Sequence, residues 1–277
     1  MKMKSSRPIL VGILIVSMGI FSCKKSDPGT VPPQTFVLVH GAWQAPFVWD
    51  SVKAELSRAG QKVVVVQLPG HGADQTDPGV ITMDSYRDQI VSAINSVTGK
   101  VILVGHSLSG FAISAVEEQI PNRIDKLVFL AGYIPAAGQY PLSLATTDNQ
   151  THVIPAPAGP LVIDSVHGVL DFVRDSIAPI FCWDASPATK ASVVANFRPD
   201  PVKPFTQTVT TTANFTNADK YYIHTLQDEV IGIDLQKRMV QTAGITRVYS
   251  LNTSHSPFLS KPDSVTAILL NIAGVRQ

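Results

Sequence analysis

The sequence carries almost no net charge and contains only two cysteines, and each scarcity narrows the possible functions. Its 277 residues include 22 Lys and Arg against 21 Asp and Glu, a formal net charge of +1. That balance gives no electrostatic reason to expect nucleic acid as a partner. The seven histidines lack convincing metal-ligand spacing, so no metal site is predicted. Hydrophobic residues at 45% suffice for one domain of about 240 residues.

The first 22 residues have the pattern of a secretory signal peptide. Three positive charges over residues 2–7 precede an apolar run over residues 9–21, as signal peptides require. The run ends in "IFSC", which resembles the lipobox of bacterial lipoproteins and implies cleavage before Cys23 and acylation of that residue. Several acyl chains anchor a protein stably. An ordinary signal peptide is the alternative, whereas the run is short for an uncleaved transmembrane anchor.

Residues 23–34 are interpreted as the lipidated cysteine and a linker, because Pro, Gly and charges there cannot bury a core. Residue 25 is Lys, whereas bacterial lipoproteins retained in the inner membrane have Asp at the corresponding position. By this resemblance, the protein is expected in the outer membrane, on either of its faces. With Cys23 acylated, Cys182 has no intrachain partner and is interpreted as a small buried apolar residue.

From residue 35 onward, apolar segments alternate with helical patterns, which predicts an α/β domain over 35–277. Continuous apolar strands between helices indicate a mostly parallel six-stranded sheet with helices on both faces. The alternation breaks over residues 134–217, which we interpret as an inserted cap with helical pieces at 169–181 and 186–197. The six predicted strands are "TFVLVHG", "QKVVVVQLPG", "KVILVGHS", "IDKLVFLAGY", "KYYIHTL" and "ITRVYSL".

Candidate catalytic residues follow four of these strands, where open α/β sheets bind their ligands. The segments are "HGAW" (40–43), "GHSLSG" (105–110), "LQDE" (226–229) and "LNTSHSPF" (251–258). A serine hydroxyl needs a base within hydrogen-bond reach to act as a nucleophile, and the base needs an orienting partner. Ser107, His255 and Asp228 supply these residue types. Asp234 and Glu229 compete with Asp228 as the acid.

Six segments together resemble the α/β-hydrolases, in the branch of plant methyl esterases, hydroxynitrile lyases and related small bacterial esterases. The resemblance spans most of 35–277 and is weakest over 140–215. It implies the α/β-hydrolase fold, with Ser107 on the nucleophile elbow and the backbone N–H groups of Ala42 and Leu108 forming the oxyanion hole. The segments are "FVLVHGAWQAPFVW", "LPGHG", "VGHSLSG", "VFLAGYIP", "QDEVIGIDLQKRM" and "SHSPFLSKP".

Other residues near these segments have both a structural and a functional interpretation. Ser109 replaces the usual second glycine of the elbow, and we expect Ser109→Gly to leave turnover nearly unchanged. His40, His71 and His106 are interpreted as structural. The aromatic residues that either line a substrate pocket or belong to the core are Trp43, Phe47, Phe111 and Trp183, with Tyr133 at the cap side of the site.

The combined pattern predicts a serine esterase for small to medium, largely apolar esters, with a small-molecule substrate and no cofactor. The alternative is a hydroxynitrile-lyase-like enzyme, but that group typically has Thr at the position of Gly41 and Lys at the position of Ser256. Amide or C–C bond hydrolysis on the same triad, and non-catalytic ligand binding, are further alternatives. The oligomeric state is left open.

Overall fold

A parallel sheet organises the chain in the computed structural model, which describes residues 32–275. The predicted signal peptide, Cys23 and most of the linker lie outside the described residues. The strands are, in chain order, β1 (Thr35–Val39), β2 (Lys62–Val66), β3 (Val101–His106), β4 (Ile124–Leu130), β5 (Leu161–Asp164), β6 (Val169–Phe172), β7 (Asp200–Pro201), β8 (Lys220–Thr225) and β9 (Arg247–Leu251). The helices are α1 (Asp50–Arg58), α2 (Met83–Asn95), α3 (Ser109–Gln119), α4 (Pro141–Ala145), α5 (Arg174–Cys182), α6 (Pro187–Asn196), α7 (Lys203–Thr206), α8 (Ala213–Asn217), α9 (Ile233–Thr242), α10 (Pro257–Ser260) and α11 (Pro262–Ile272).

The six predicted strands form one sheet in the order β2-β1-β3-β4-β8-β9. Every neighbouring pair in it is parallel, so the predicted fold class is confirmed. Strands β1, β3 and β8 are buried along their whole length, as expected of strands covered on both faces. The edge strands β2 and β9 are more exposed.

Helices cover both faces of this sheet. Apolar side chains of α1 and α11 pack on one face, and those of α2, α3 and α9 pack on the other. Helix α3 leaves the sheet directly after β3 and is buried from Ser109 to Glu117. The turn between β3 and α3 is therefore held between two buried elements.

The cap, residues 134–217 between β4 and β8, contains α4–α8 and a second, antiparallel sheet in the order β5-β6-β7. The predicted helix over 169–181 is wrong in its first part, because Val169–Phe172 is strand β6 and the helix begins at Arg174. These residues form a strand because "VLDF" pairs with Leu161–Asp164. Gly168, at φ +65°, permits the tight turn that joins them.

No helix between residues 32 and 275 is both long and apolar enough to cross a bilayer.

Candidate active site

Ser107 lies on the turn between β3 and α3 in a conformation that is rare for a residue with a side chain. Its φ of +56° is in the left-handed region, where a non-glycine residue is strained and persists only if its surroundings hold it. Its N–H donates to the Leu130 carbonyl at 3.2 Å, and its carbonyl accepts from the Tyr133 N–H at 3.0 Å. The end of β4 thus stabilises the strained turn.

Loop 40–43, which follows β1, packs directly against this turn. A Cβ placed on Gly41 would lie 2.7 Å from His106 Nδ1 and 2.8 Å from Ser107 Cβ, so only glycine fits there. Within residues 32–275, the backbone N–H groups of Ala42 and Leu108 donate to no protein acceptor. These are the two N–H groups that the resemblance predicts for an oxyanion hole.

His255 and Asp228, which the sequence predicts as base and acid, are joined by a hydrogen bond. His255 Nδ1 lies 2.8 Å from Asp228 Oδ2, and both side chains are buried. The carboxylate also accepts from the Thr225 hydroxyl at 2.7 Å and from the backbone N–H groups of Val230 and Ile231 at 2.8 and 2.9 Å. These donors fix the carboxylate, which in turn fixes the imidazole ring.

The two alternative acids contact other groups. Glu229 lies 3.0 Å from the half-exposed His152 at the cap. Asp234 is in the first turn of α9, and its N–H donates to Gln150. Of the three carboxylates considered, the structure brings Asp228 to His255.

The second ring nitrogen of His255 differs from the first in its contacts. Nε2 is buried and makes no hydrogen bond within the described part of the chain, to Ser107 Oγ included. The ring of His106, next to Ser107, lies 4.5 Å from the His255 ring between centroids, tilted by 49°, and its Nε2 donates to the His255 carbonyl at 2.9 Å. Burial, and then electrostatic interaction with the neighbouring His255 ring, holds the pKa of His106 well below its usual value, so His106 is neutral.

Two residues that the sequence analysis missed hold the loop of His255 in place. The Ser254 N–H donates to Asp184 of the cap at 3.1 Å, and Gln44 Nε2 donates to Ser256 Oγ at 2.8 Å. Gln44 lies in the segment that follows β1 but has no predicted function there, and Asp184 is 70 residues from Ser254. Sequence carries no local signal for such contacts.

The predicted pocket residues lie in different environments. Trp43 is 4% exposed, and its indole N–H donates to the Leu170 carbonyl of the cap at 2.8 Å. Phe111 is fully buried in the core. Trp183 is 40% exposed, and Tyr133 is buried beside the elbow. Phe47 lines a surface cavity of about 400 Å³.

A buried carboxylate from the cap, Asp200, also reaches this region without any signal in the sequence. Its Oδ2 lies 2.7 Å from His71 Nε2 and accepts from the Trp43 N–H at 2.6 Å. His71 and Asp200 are 129 positions apart. The sequence indicated an ordering function for His71 in its loop, but not this partner.

An elbow serine, a buried histidine–aspartate pair and a parallel sheet define an α/β hydrolase. The chain belongs to the α/β hydrolase family, whose model matches residues 36–268. It is similar to methylesterase 7 of Arabidopsis thaliana, with 28% identity over 86% of this chain and 95% of the relative. It is also similar to the pyrethroid hydrolase of Sphingobium wenxiniae, with 26% identity over 86% of each chain. The crystal structure of polyneuridine aldehyde esterase has the same fold, with a TM-score of 0.76 and 22% identity over 87% of this chain and 99% of that one.

Proposed function

We propose that this α/β hydrolase is a serine carboxylesterase, with Ser107 as nucleophile, His255 as general base and Asp228 as the residue that orients it. The observation that carries the proposal is the buried His255–Asp228 hydrogen bond beside a serine in a strained turn. The similarity to a methylesterase and a pyrethroid hydrolase supports ester hydrolysis as the reaction.

The proposed reaction proceeds through an acyl-enzyme intermediate. Ser107 Oγ attacks the ester carbonyl carbon while His255 Nε2 takes the hydroxyl proton, and Asp228 stabilises the resulting imidazolium. The N–H groups of Ala42 and Leu108 donate to the developing oxyanion, and one such donor is worth about 3 kcal/mol. The alcohol leaves with the proton from His255. Water, deprotonated by His255, then releases the acid.

The surroundings of the base support an apolar ester of small to medium size as the substrate. The ring of Phe181, on the cap, lies 6.0 Å from the ring of His255. It belongs to an aromatic cluster around Trp43, whose other members are Phe172, Phe197 and Phe205. A buried apolar cluster this close to the base favours apolar groups over charged ones.

The alternative functions have less support. A threonine at position 41, typical of hydroxynitrile lyases, would clash with Ser107 and His106. A lysine at position 256 would replace a hydroxyl that is fully buried against Gln44. Amide or C–C bond hydrolysis would use the same groups. Non-catalytic binding is disfavoured by the intact set of Ser107, His255 and Asp228.

Hydrolysis of p-nitrophenyl esters of rising acyl length tests this proposal. We expect the wild type to prefer short and medium acyl chains, and Ser107→Ala to lower kcat by at least about 10⁴-fold. Ser114→Ala is the matched control, because Ser114 is equally buried but donates within α3 to the Gly110 carbonyl. Wild-type activity in Ser107→Ala would refute the nucleophile. A preference for charged or very long esters would refute the substrate class.

We also propose that the protein is exported and anchored in the outer membrane through acylated Cys23. The support is the signal pattern of residues 1–22 and the cysteine that follows it. Labelled palmitate should appear in the wild type and be absent from Cys23→Ser, which should also leave the membrane fraction. Equal labelling of both proteins would refute acylation at Cys23.

A further inference from the structure

Loop 40–43 is held at both ends by side chains that come from elsewhere in the fold. The Ser109 hydroxyl donates to the carbonyl of His40, immediately before Gly41. The carboxylate of Asp200 accepts the N–H of Trp43 at 2.6 Å, immediately after Ala42. The peptide that would present the Ala42 N–H therefore lies between two fixed points.

The Asp200 carboxylate that accepts the Trp43 N–H is itself held by two other side chains. Its carboxylate is fully buried and is bound by His71 at 2.7 Å and by the Tyr86 hydroxyl at 3.3 Å. A buried carboxylate requires such partners, because an uncompensated charge is costly to bury. The Asp200 carboxylate is consequently fixed in position beside loop 40–43.

The backbone conformation of Trp43 depends on this contact with Asp200. Its φ of +59° is strained for a residue with a side chain and requires support from its surroundings. The cap supplies that support twice, through Asp200 at the main-chain N–H and through the Leu170 carbonyl at the indole N–H. The conformation of the loop thus depends on the cap being docked.

We propose that Asp200 and Ser109 are positioning residues that hold the Ala42 N–H where it meets the oxyanion of the reaction. The inference rests on the proposed function, and it makes the cap part of the catalytic geometry. It also gives the Ser109 hydroxyl a function that the elbow pattern did not indicate. A glycine at 109 would lack the hydrogen bond to His40, so we no longer expect Ser109→Gly to be neutral.

The expected effects lie on kcat and not on KM, because the oxyanion exists only during the reaction. Asp200→Asn keeps the size of the side chain, but one amide oxygen must serve both His71 and Trp43 without a full charge. We expect kcat to fall by about 10- to 100-fold. Ser109→Ala and Ser109→Gly each remove one hydrogen bond, and we expect losses of about 5- to 10-fold. KM should stay within about twofold in all three variants.

The test combines ester kinetics with the rate of Ser107 labelling by an alkyl fluorophosphonate, in which a P–O bond forms and fluoride leaves. Labelling needs the nucleophile and the oxyanion hole but not the natural substrate. Ser114→Ala is the control, because it loses a buried serine hydrogen bond of 2.7 Å within α3 and leaves loop 40–43 untouched. Thermal melts confirm that each variant is folded.

Parallel losses of kcat and labelling rate in the Asp200 and Ser109 variants, with Ser114→Ala unchanged, support the proposal. Wild-type rates in the folded Ser109 variants and a fall only in Tm for Asp200→Asn would overturn it while leaving the esterase intact. A wild type that neither hydrolyses the esters nor is labelled would instead overturn the proposed function, and the positioning proposal with it. If Asp200→Asn does not fold, the two Ser109 variants decide.

Discussion

Two buried histidine–aspartate pairs of nearly equal geometry lie in this molecule, and they differ in what the second ring nitrogen does. His255 and Asp228 are 2.8 Å apart, His71 and Asp200 are 2.7 Å apart, and all four side chains are at most 1% exposed. In His255, Nδ1 binds the carboxylate and Nε2 has no partner within residues 32–275. In His71, Nε2 binds the carboxylate and Nδ1 lies 2.9 Å from the Pro69 carbonyl.

In the proposed mechanism, this difference separates the general base from a fixed ion pair. Both nitrogens of His71 face oxygen acceptors, an arrangement that favours the doubly protonated, cationic ring. Burial alone would lower the pKa of His71, but the charge of Asp200 and the hydrogen bond to it outweigh burial and raise the pKa above its usual value. A carboxylate beside a histidine therefore does not make a catalytic base. A base also needs a second ring nitrogen that is free to take a proton from the reacting group.

The largest expected contrast comes from replacing each aspartate with asparagine. Asp228→Asn should lower kcat by about 10⁴-fold, because an amide neither stabilises the imidazolium nor holds the required tautomer. Asp200→Asn should cost far less turnover, since Asp200 acts on the backbone of loop 40–43. Steady-state hydrolysis of one p-nitrophenyl ester by both variants measures the contrast. Losses of similar size would mean that the two pairs are functionally equivalent.

The second contrast is in stability and comes from replacing each histidine with glutamine. His71→Gln leaves the buried Asp200 carboxylate without its cation, and we expect a loss of about 3 kcal/mol in the free energy of unfolding. Its kcat should fall by less than about tenfold. His255→Gln should abolish turnover, with the smaller loss of stability. Urea denaturation and ester kinetics on both variants test this, and an inactive but fully stable His71→Gln protein would contradict it.

The two pairs also differ in how far the sequence could predict them. Asp228 and His255 each follow a strand, and parallel strands bring their carboxyl ends to one edge, so pattern and chain order sufficed to predict that these two residues meet. Asp200 lies in the cap, where no periodic strand or helix pattern fixes its neighbours. Its contacts to Trp43 and His71 span 157 and 129 positions and exist only once the cap has docked.

The secondary structure of the cap was also harder to predict from the sequence than that of the main sheet. The apolar spacing over residues 169–181 fits a helix, yet Val169–Phe172 pairs with β5 and with Asp200–Pro201. Strand propensity depends on the partners that a segment finds, and those partners are not local. In the sheet, by contrast, central strands such as β1 and β3 are continuous apolar runs whose burial follows from their composition.

The smallest expected effect is a pH dependence of stability that belongs to the His71–Asp200 pair. The pKa of His71 is raised above 6.5 in the folded protein. The folded protein therefore binds the His71 proton more tightly than the unfolded chain does. The stabilisation is then full below the unfolded pKa and is lost as the pH rises through the folded pKa. His40, beside His71, stays neutral in the folded protein, since burial and the charge of His71 lower its pKa to about 3. Its own contribution to the pH dependence is common to the wild type and His71→Gln and cancels in their difference.

Thermal melts of the wild type and His71→Gln at about pH 6 and about pH 9 measure this effect. The difference in Tm between the two proteins should shrink by a few degrees at the higher pH, at about 2–4 °C for each kcal/mol. His152→Gln is the matched control, because His152 pairs with Glu229 but is 59% exposed, and exposed pairs contribute little. A difference in Tm that is constant with pH would mean that His71 is not the cation of its pair. The contrast with His255 would then have to rest on position alone.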